Sequence, residues 1–124
     1  MVKLVYCLRR LPHLSREEFQ RYWRETHGPL VQSRAQALRI RRYVQVHTLE
    51  SSINDALRKY RGGLEPYDGV AELWWESVEE FATATASPEG RKAGEELLED
   101  ERRFIDIKRS ALWVAQEHPI VETS

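Results

Sequence analysis

Three side chains in this sequence could move a proton or hold a developing charge: His27, Tyr43 and Glu72. His27 sits in RETHGPLV, at the end of a helical stretch and directly before Gly28-Pro29. Imidazole titrates at about pH 6.5, so a ring placed at such a break could serve as general acid or base. Its plainer role is a helix-end histidine bonded to a backbone carbonyl. Tyr43, in RRYVQVH, could donate its hydroxyl to a substrate carbonyl or enolate, or fill a dimer interface. Glu72 lies among Ala71, Leu73 and Trp74. Burial there would raise its pKa and make it a base, whereas a salt bridge to Arg41 or Arg9 would make it structural. Either Tyr43 or Glu72 could orient the His27 ring. Trp23, Trp74, Tyr22 and His47 are the candidate substrate-binding residues. Trp74 shares a strand face with Glu72, Trp23 could be pocket wall or core, and His47, near a strand end, has a surface or interface role as its alternative.

Other chemistries lack their signatures. His27, His47 and His118 do not show the local spacing of a zinc site. There is no phosphate-cradling glycine loop and no nucleophile elbow. The charge run EELLEDERR reads as a solvated helix face. Tyr67-Asp68-Gly69 reads as a turn, with Asp68 capping backbone and Gly69 free to take positive φ.

The elements that must position these residues come from periodicity. VKLVYCLR has apolar residues on both parities, as in a central strand. Ser15 and Glu18 form a capping box, and Phe19, Tyr22, Trp23 and His27 recur at helical spacing. Gly28-Pro29 predicts a kink or a restart, with Pro29 in the first turn of a new helical segment. RIRRYVQVHTL alternates as a strand, with Ile40, Val44 and Val46 on one face and Arg41, Tyr43, Gln45 and His47 on the other. SSINDALRKYRGG predicts a short helix capped by Ser51 or Ser52 and stopped by Gly62-Gly63. YDGVAELWWES is a third strand, with Ala71, Leu73 and Trp75 on its apolar face. SVEEF and the segment from Ser87-Pro88 open two more helices, and IDIKRSALWVAQE is the last strand. This order predicts an α+β, ferredoxin-like βαββαβ domain over residues 1–117, with a loose tail at 118–124. Helices then cover one face of a four-stranded antiparallel sheet. The other face carries too much apolar surface for water, so a second copy should cover it as a homodimer.

The chain has 124 residues, 41% hydrophobic and 31% charged, which fits one globular domain rather than a disordered segment. A net charge of −1 excludes an electrostatic case for nucleic acid or an anionic membrane. No stretch approaches the roughly 20 apolar residues of a membrane span. The N-terminus, interrupted by Arg9 and Arg10, does not read as a signal peptide. A single cysteine, Cys7, fits a reducing compartment, and the expected location is cytoplasmic.

The pattern Phe19, Tyr22, Trp23, His27, Pro29, Leu30, with YDGVAELWW and DERRFIDIKRS further along the chain, resembles the EthD domain family of the dimeric α+β barrel superfamily. The resemblance implies a dimeric barrel and a small, flat, oxygenated ring metabolite as partner. Relatives include methylmuconolactone isomerases, polyketide cyclases and dehydratases, cofactor-free monooxygenases and haem enzymes. The EthD domain itself carries a general oxidoreductase label. The isomerases line their pocket with a helix-end histidine and a strand-two tyrosine, which the likeness places at His27 and Tyr43. Their strand cysteines have no counterpart in VAELWWES. The expectation is therefore a small dimeric enzyme acting on an aromatic, polyketide-like or lactone-like ring by acid/base chemistry, as isomerase, cyclase, dehydratase or decarboxylase. No cofactor, nucleotide or metal is expected, with haem the one alternative, through a lone histidine ligand. Two other readings stay open: a cofactor-independent monooxygenase of the same fold, and a non-catalytic carrier of a hydrophobic metabolite.

Overall fold

Strand alternation gives this molecule two unlike sheet faces. The computed structural model describes residues 1–123; Ser124, the end of the expected tail, lies outside the described residues. Four antiparallel strands run in the order β2-β3-β1-β4. They are β1 (Val2–Leu8), β2 (Arg42–His47), β3 (Gly69–Trp75) and β4 (Ala111–Ala115). The helices are α1 (Arg16–Tyr22), a π-helical turn (Trp23–His27), α2 (Gly28–Leu38), α3 (Ser52–Arg61), α4 (Val78–Ala86) and α5 (Pro88–Glu101). This is the ferredoxin-like α+β arrangement that the element order predicts.

Register assigns each side chain to a face. Tyr6, Ala71 and Gln45 stand in one cross-strand row, and Leu4, Leu73 and Tyr43 in the next. These rows lie under the helices, and their Tyr6, Ala71, Leu73 and Tyr43 join Phe19, Trp23, Phe104 and Ile105 in the core. Burying each such large apolar side chain contributes about 1.5–3 kcal/mol. Intervening positions form the open face: Val5, Glu72 and Val44 in one row, Lys3, Trp74 and Arg42 in another.

Local chemistry explains where the helices begin. The Ser15 hydroxyl accepts from the Glu18 backbone N–H while the Glu18 carboxylate accepts from the Ser15 N–H, so the capping box is complete. Ser51 caps α3, and Gly62 ends it in the left-handed region at φ 63°.

Three boundaries differ from expectation. The strand predicted from Ile105 begins only at Ala111, because Phe104 and Ile105 are both buried and an alternating strand cannot send neighbours into one core. Residues Ile107–Arg109 form a 3₁₀ turn instead. Arg39 closes α2 in the left-handed region, so β2 starts at Arg42. Gly69 does not use positive φ. It is strand backbone, and a Cβ there would run into the Trp23 ring. The glycine makes room for the indole.

Candidate functional site

His27 owes its position to the π turn. The Gly28 N–H bonds the Trp23 carbonyl five residues back, and the backbone stays helical through Gly28 (φ −54°, ψ −53°) into α2. A proline ring strikes the carbonyl four residues before it in a regular α-helix. Adding one residue to the turn moves that carbonyl aside. The expected kink or restart is thus a continuous helix with one wide turn, and the widening sends Trp23 and His27 inward together. Both are buried, at 1% and 5% exposure.

A buried polar ring needs a partner, and α5 supplies it. His27 Nδ1 lies 2.7 Å from Asp100 Oδ2. The other Asp100 oxygen accepts from the Tyr22 hydroxyl at 2.6 Å. Arg103 Nη1 stands 3.7 Å from the same carboxylate. Burial holds the His27 pKa below its ordinary value, with Asp100 opposing the shift. The neutral ring therefore donates from Nδ1, and its lone pair sits on Nε2. No described residue hydrogen-bonds Nε2, although every fully enclosed side-chain nitrogen or oxygen among the described residues has a partner. Nε2 consequently faces the cavity that the ring lines. Phe104, with its ring 5.0 Å from the imidazole, walls one side.

That cavity, about 210 Å³, lies between the covered sheet face and helices α2, α4 and α5. Its lining is apolar except for a few groups: His27, Tyr43, Tyr6, Thr85 and Glu101. An apolar cavity of about 150 Å³ already accepts benzene, so this one suits one or two fused rings.

Tyr43 reaches the cavity through a polar row along β2. Gln45 Nε2 donates to the Tyr43 hydroxyl oxygen at 2.8 Å and to the Trp23 carbonyl at 2.9 Å. The Gln45 carbonyl oxygen thus faces His47 Nε2, 2.8 Å away, which must carry the proton there. With its oxygen already accepting, Tyr43 has its own hydrogen to give to a guest. Burial pushes its pKa up, keeping it a donor at neutral pH. His47 stacks on Trp23 with ring centroids 4.4 Å apart. It supports the wall from behind and does not line the cavity. Tyr22 likewise faces Asp100 rather than the cavity.

Glu72 and Trp74 are placed elsewhere. Both stand on the open face, across the sheet from His27. Lys3 Nζ donates to Glu72 at 2.7 Å, in place of the Arg9 or Arg41 partner considered from sequence. Lys3 and Arg42 also flank the Trp74 ring, whose indole N–H donates to Glu117. The group that orients His27 is neither Glu72 nor Tyr43 but Asp100.

Asp100 and Glu101 are the site residues that charge patterning concealed. EELLEDERR is not a uniformly solvated face: Leu97 and Asp100 are buried, and Glu101 is partly so. The available signal was the stripe Ala93, Leu97, Phe104, whose helical spacing carries Asp100 and Glu101 inward with it. Burial lifts the Glu101 pKa to about 7, with the Tyr6 hydroxyl opposing and Asp100 adding to the rise. Asp68 is also buried, accepting from the Arg10 backbone N–H and from the Arg10 and Arg16 guanidinium groups.

A family model described as the EthD domain matches residues 11–108. The chain belongs to the EthD domain family. It is similar to an ethyl tert-butyl ether D (EthD) family protein from Bacillus halodurans, at 22% identity and TM-score 0.62, covering 95% of this chain and 99% of that one. A dimeric ferredoxin-like protein of unknown function from Thermobifida fusca aligns at 10% identity and TM-score 0.57, covering 92% of this chain and 88% of that one. A putative antibiotic biosynthesis monooxygenase from Deinococcus radiodurans aligns at 14% identity and TM-score 0.54, covering 100% and 99%. At these identities the structures speak for the fold alone. Among curated proteins no match was found. No helix is long and apolar enough to cross a membrane, among the described residues.

Proposed function

We propose that this EthD domain protein is a small enzyme that moves a proton on an apolar, carbonyl-bearing ring of one or two fused cycles. The observation that carries this reading is the buried His27–Asp100 pair, with Nε2 open to an apolar cavity of about 210 Å³. His27 Nε2 takes a proton from the carbon next to a ring carbonyl. The freed electron pair moves into the new carbon–carbon double bond, and charge gathers on the carbonyl oxygen. The Tyr43 hydroxyl donates to that oxygen. Asp100 fixes the reactive tautomer and stabilises the imidazolium that forms. Isomerisation, cyclisation and dehydration can all start from the resulting enolate, and decarboxylation of a β-keto acid, in which the C–CO₂ bond pair becomes the enolate double bond, arrives at the same species. Each of these groups belongs to the chain itself, so we propose chemistry without nucleotide, metal or haem.

The same base could deprotonate an electron-rich phenol, whose carbanion form then gives electrons to molecular oxygen. The Deinococcus radiodurans protein, described as a putative monooxygenase, shares this fold. Oxygen uptake with an anthrone separates that route from simple proton transfer. Absence of conversion with any ring ketone, alongside tight binding, would instead make the protein a carrier.

A second copy of this chain, in the same cytoplasmic setting, is the proposed cover for the open sheet face. Trp113 and Val46 there are 47% and 46% exposed, and the Thermobifida fusca relative is described as dimeric. Sedimentation at micromolar concentration should show a dimer.

The direct test is His27→Ala with a ring-ketone panel. We expect turnover to fall about 10³-fold. A variant as active as the parent on an accepted substrate would overturn the assignment.

A further inference from the structure

The dyad accounts for one end of a proton transfer and leaves a second, partly buried acid unused. Glu101 follows Asp100 on α5 and lines the same cavity as His27. No arginine, lysine or histidine pairs with its carboxylate among the described residues, although most other buried or partly buried acids here have such a partner: Glu72 has Lys3, Glu80 has Arg41, and Asp68 has Arg10 and Arg16. Its polar neighbour is the Tyr6 hydroxyl from β1. Every fully enclosed side-chain oxygen among the described residues is hydrogen-bonded, so a Glu101 oxygen without a partner is accessible, on a residue that lines the cavity. An uncompensated carboxyl in apolar surroundings costs stability when ionised. A structural role would be served as well by an uncharged residue.

Building on the acid/base reading of His27, we propose that Glu101 is a second catalytic residue, the general acid that protonates the ring carbonyl oxygen as His27 removes the neighbouring proton. The balance is simple. His27 Nε2 gains the carbon-bound proton, and the C–H pair becomes the enol double bond. The carbonyl π pair takes the Glu101 proton, leaving a carboxylate beside an imidazolium. Solvent exchange then resets both groups. Tyr6 receives the Glu101 charge as a hydrogen-bond donor. The substrate class narrows to neutral ketones with an acidic adjacent C–H. An anionic ring would place its charge against Glu101 once that group has given up its proton.

Supporting this division of labour, burial keeps Glu101 half-protonated near pH 7 and His27 unprotonated above its lowered pKa. The groups that bear on Glu101 are Tyr6 from β1, Tyr43 from β2, Asp100 from α5, Arg102 just past its end, and His27 across the cavity. Activity should therefore rise with pH as His27 loses its proton and fall again near pH 7 as Glu101 loses its own.

The probe is β-tetralone, a bicyclic ketone whose acidic C–H exchanges with D₂O on enolisation. Exchange is monitored by NMR from about pH 5 to about pH 9. Wild type should give a bell-shaped profile. Glu101→Gln should slow exchange about 10²-fold and lose the alkaline limb, and Glu101→Asp should restore that limb. An acceleration lost in His27→Ala but undiminished in Glu101→Gln would overturn this inference and leave the reading of His27 standing. An acceleration absent from wild type, or retained in His27→Ala, would overturn both. A carboxyl titration by ¹³C NMR, read independently of turnover, should find the Glu101 midpoint near 7; a midpoint at the ordinary 4.5 would also overturn the inference.

Discussion

Glu72 and Glu101 are glutamates on opposite sides of one sheet, both near tryptophan and leucine, and their chemistry differs completely. On the open face, Glu72 meets the Lys3 ammonium at 2.7 Å, a charge with a charge for partner. On the covered face, Glu101 meets an apolar cavity and a tyrosine, and burial moves its pKa to about 7. Apolar neighbours in sequence do not distinguish the two. What distinguishes them is the side of the sheet each reaches and whether a cation reaches it too. The same contrast holds for the aromatics: Trp74 lies between Lys3 and Arg42, while Trp23 backs the cavity beside His27.

The largest change that sharpens this contrast, after loss of His27 itself, is Asp100→Asn. The amide keeps the shape but removes the charge that stabilises imidazolium, so kcat on a ring ketone should fall about 10²-fold or more. Asp100 raises the His27 pKa against burial. Its removal should therefore move the acid limb of the pH profile to lower pH. A limb that stays in place would mean Asp100 does not sense the His27 proton.

Much of this architecture is legible in the residues alone. Strand parity assigns Tyr43, Gln45 and His47 to one face of β2 and Ala71, Leu73 and Trp75 to one face of β3, because alternation leaves little freedom in a sheet. The Ser15–Glu18 capping box is local and reads directly. His27 stands out because of the Gly-Pro pair behind it, although the pair produces a π turn rather than a break. Asp100 and Glu101 are hidden for a physical reason. A run of acids usually faces water, and their burial depends on the α2–α5 packing and on a histidine distant in sequence. Glu72 attracts notice by sitting on a central strand, but which face the helices cover is a tertiary fact. The partner Lys3 emerges only once β1 and β3 are paired in register.

A smaller effect separates the two glutamates by stability rather than turnover. In the folded protein Glu101 titrates near 7, above its unfolded value of about 4.5. Its protonated form is the one the fold prefers, so its contribution is fully present below about 4.5 and is lost as pH rises toward 7. Glu101→Gln lacks that loss. In urea titrations the variant should gain about 2 kcal/mol on the wild type between pH 4.5 and 7.5, after allowance for partial exposure, and hold that lead above. Equal pH slopes for the two proteins would show that Glu101 is solvated.

Glu72→Gln should do least, and that is its value. The Lys3 ion pair is partly exposed, with side-chain exposures of 15% and 23%, and such pairs contribute roughly 0–1 kcal/mol. Glutamine can still accept from Lys3, so stability should change by less than about 0.5 kcal/mol, and turnover on a ring ketone should stay within about twofold. The place where this substitution can be felt is association, since the open face is where a second copy would sit and an unbalanced Lys3 would then be buried against it. A Glu72→Gln protein with normal turnover and a weakened dimer would assign chemistry to one side of the sheet and assembly to the other. A collapse of turnover in the intact dimer would mean that proton transfer reaches through to the open face, and that the cavity beside His27 is not the whole site.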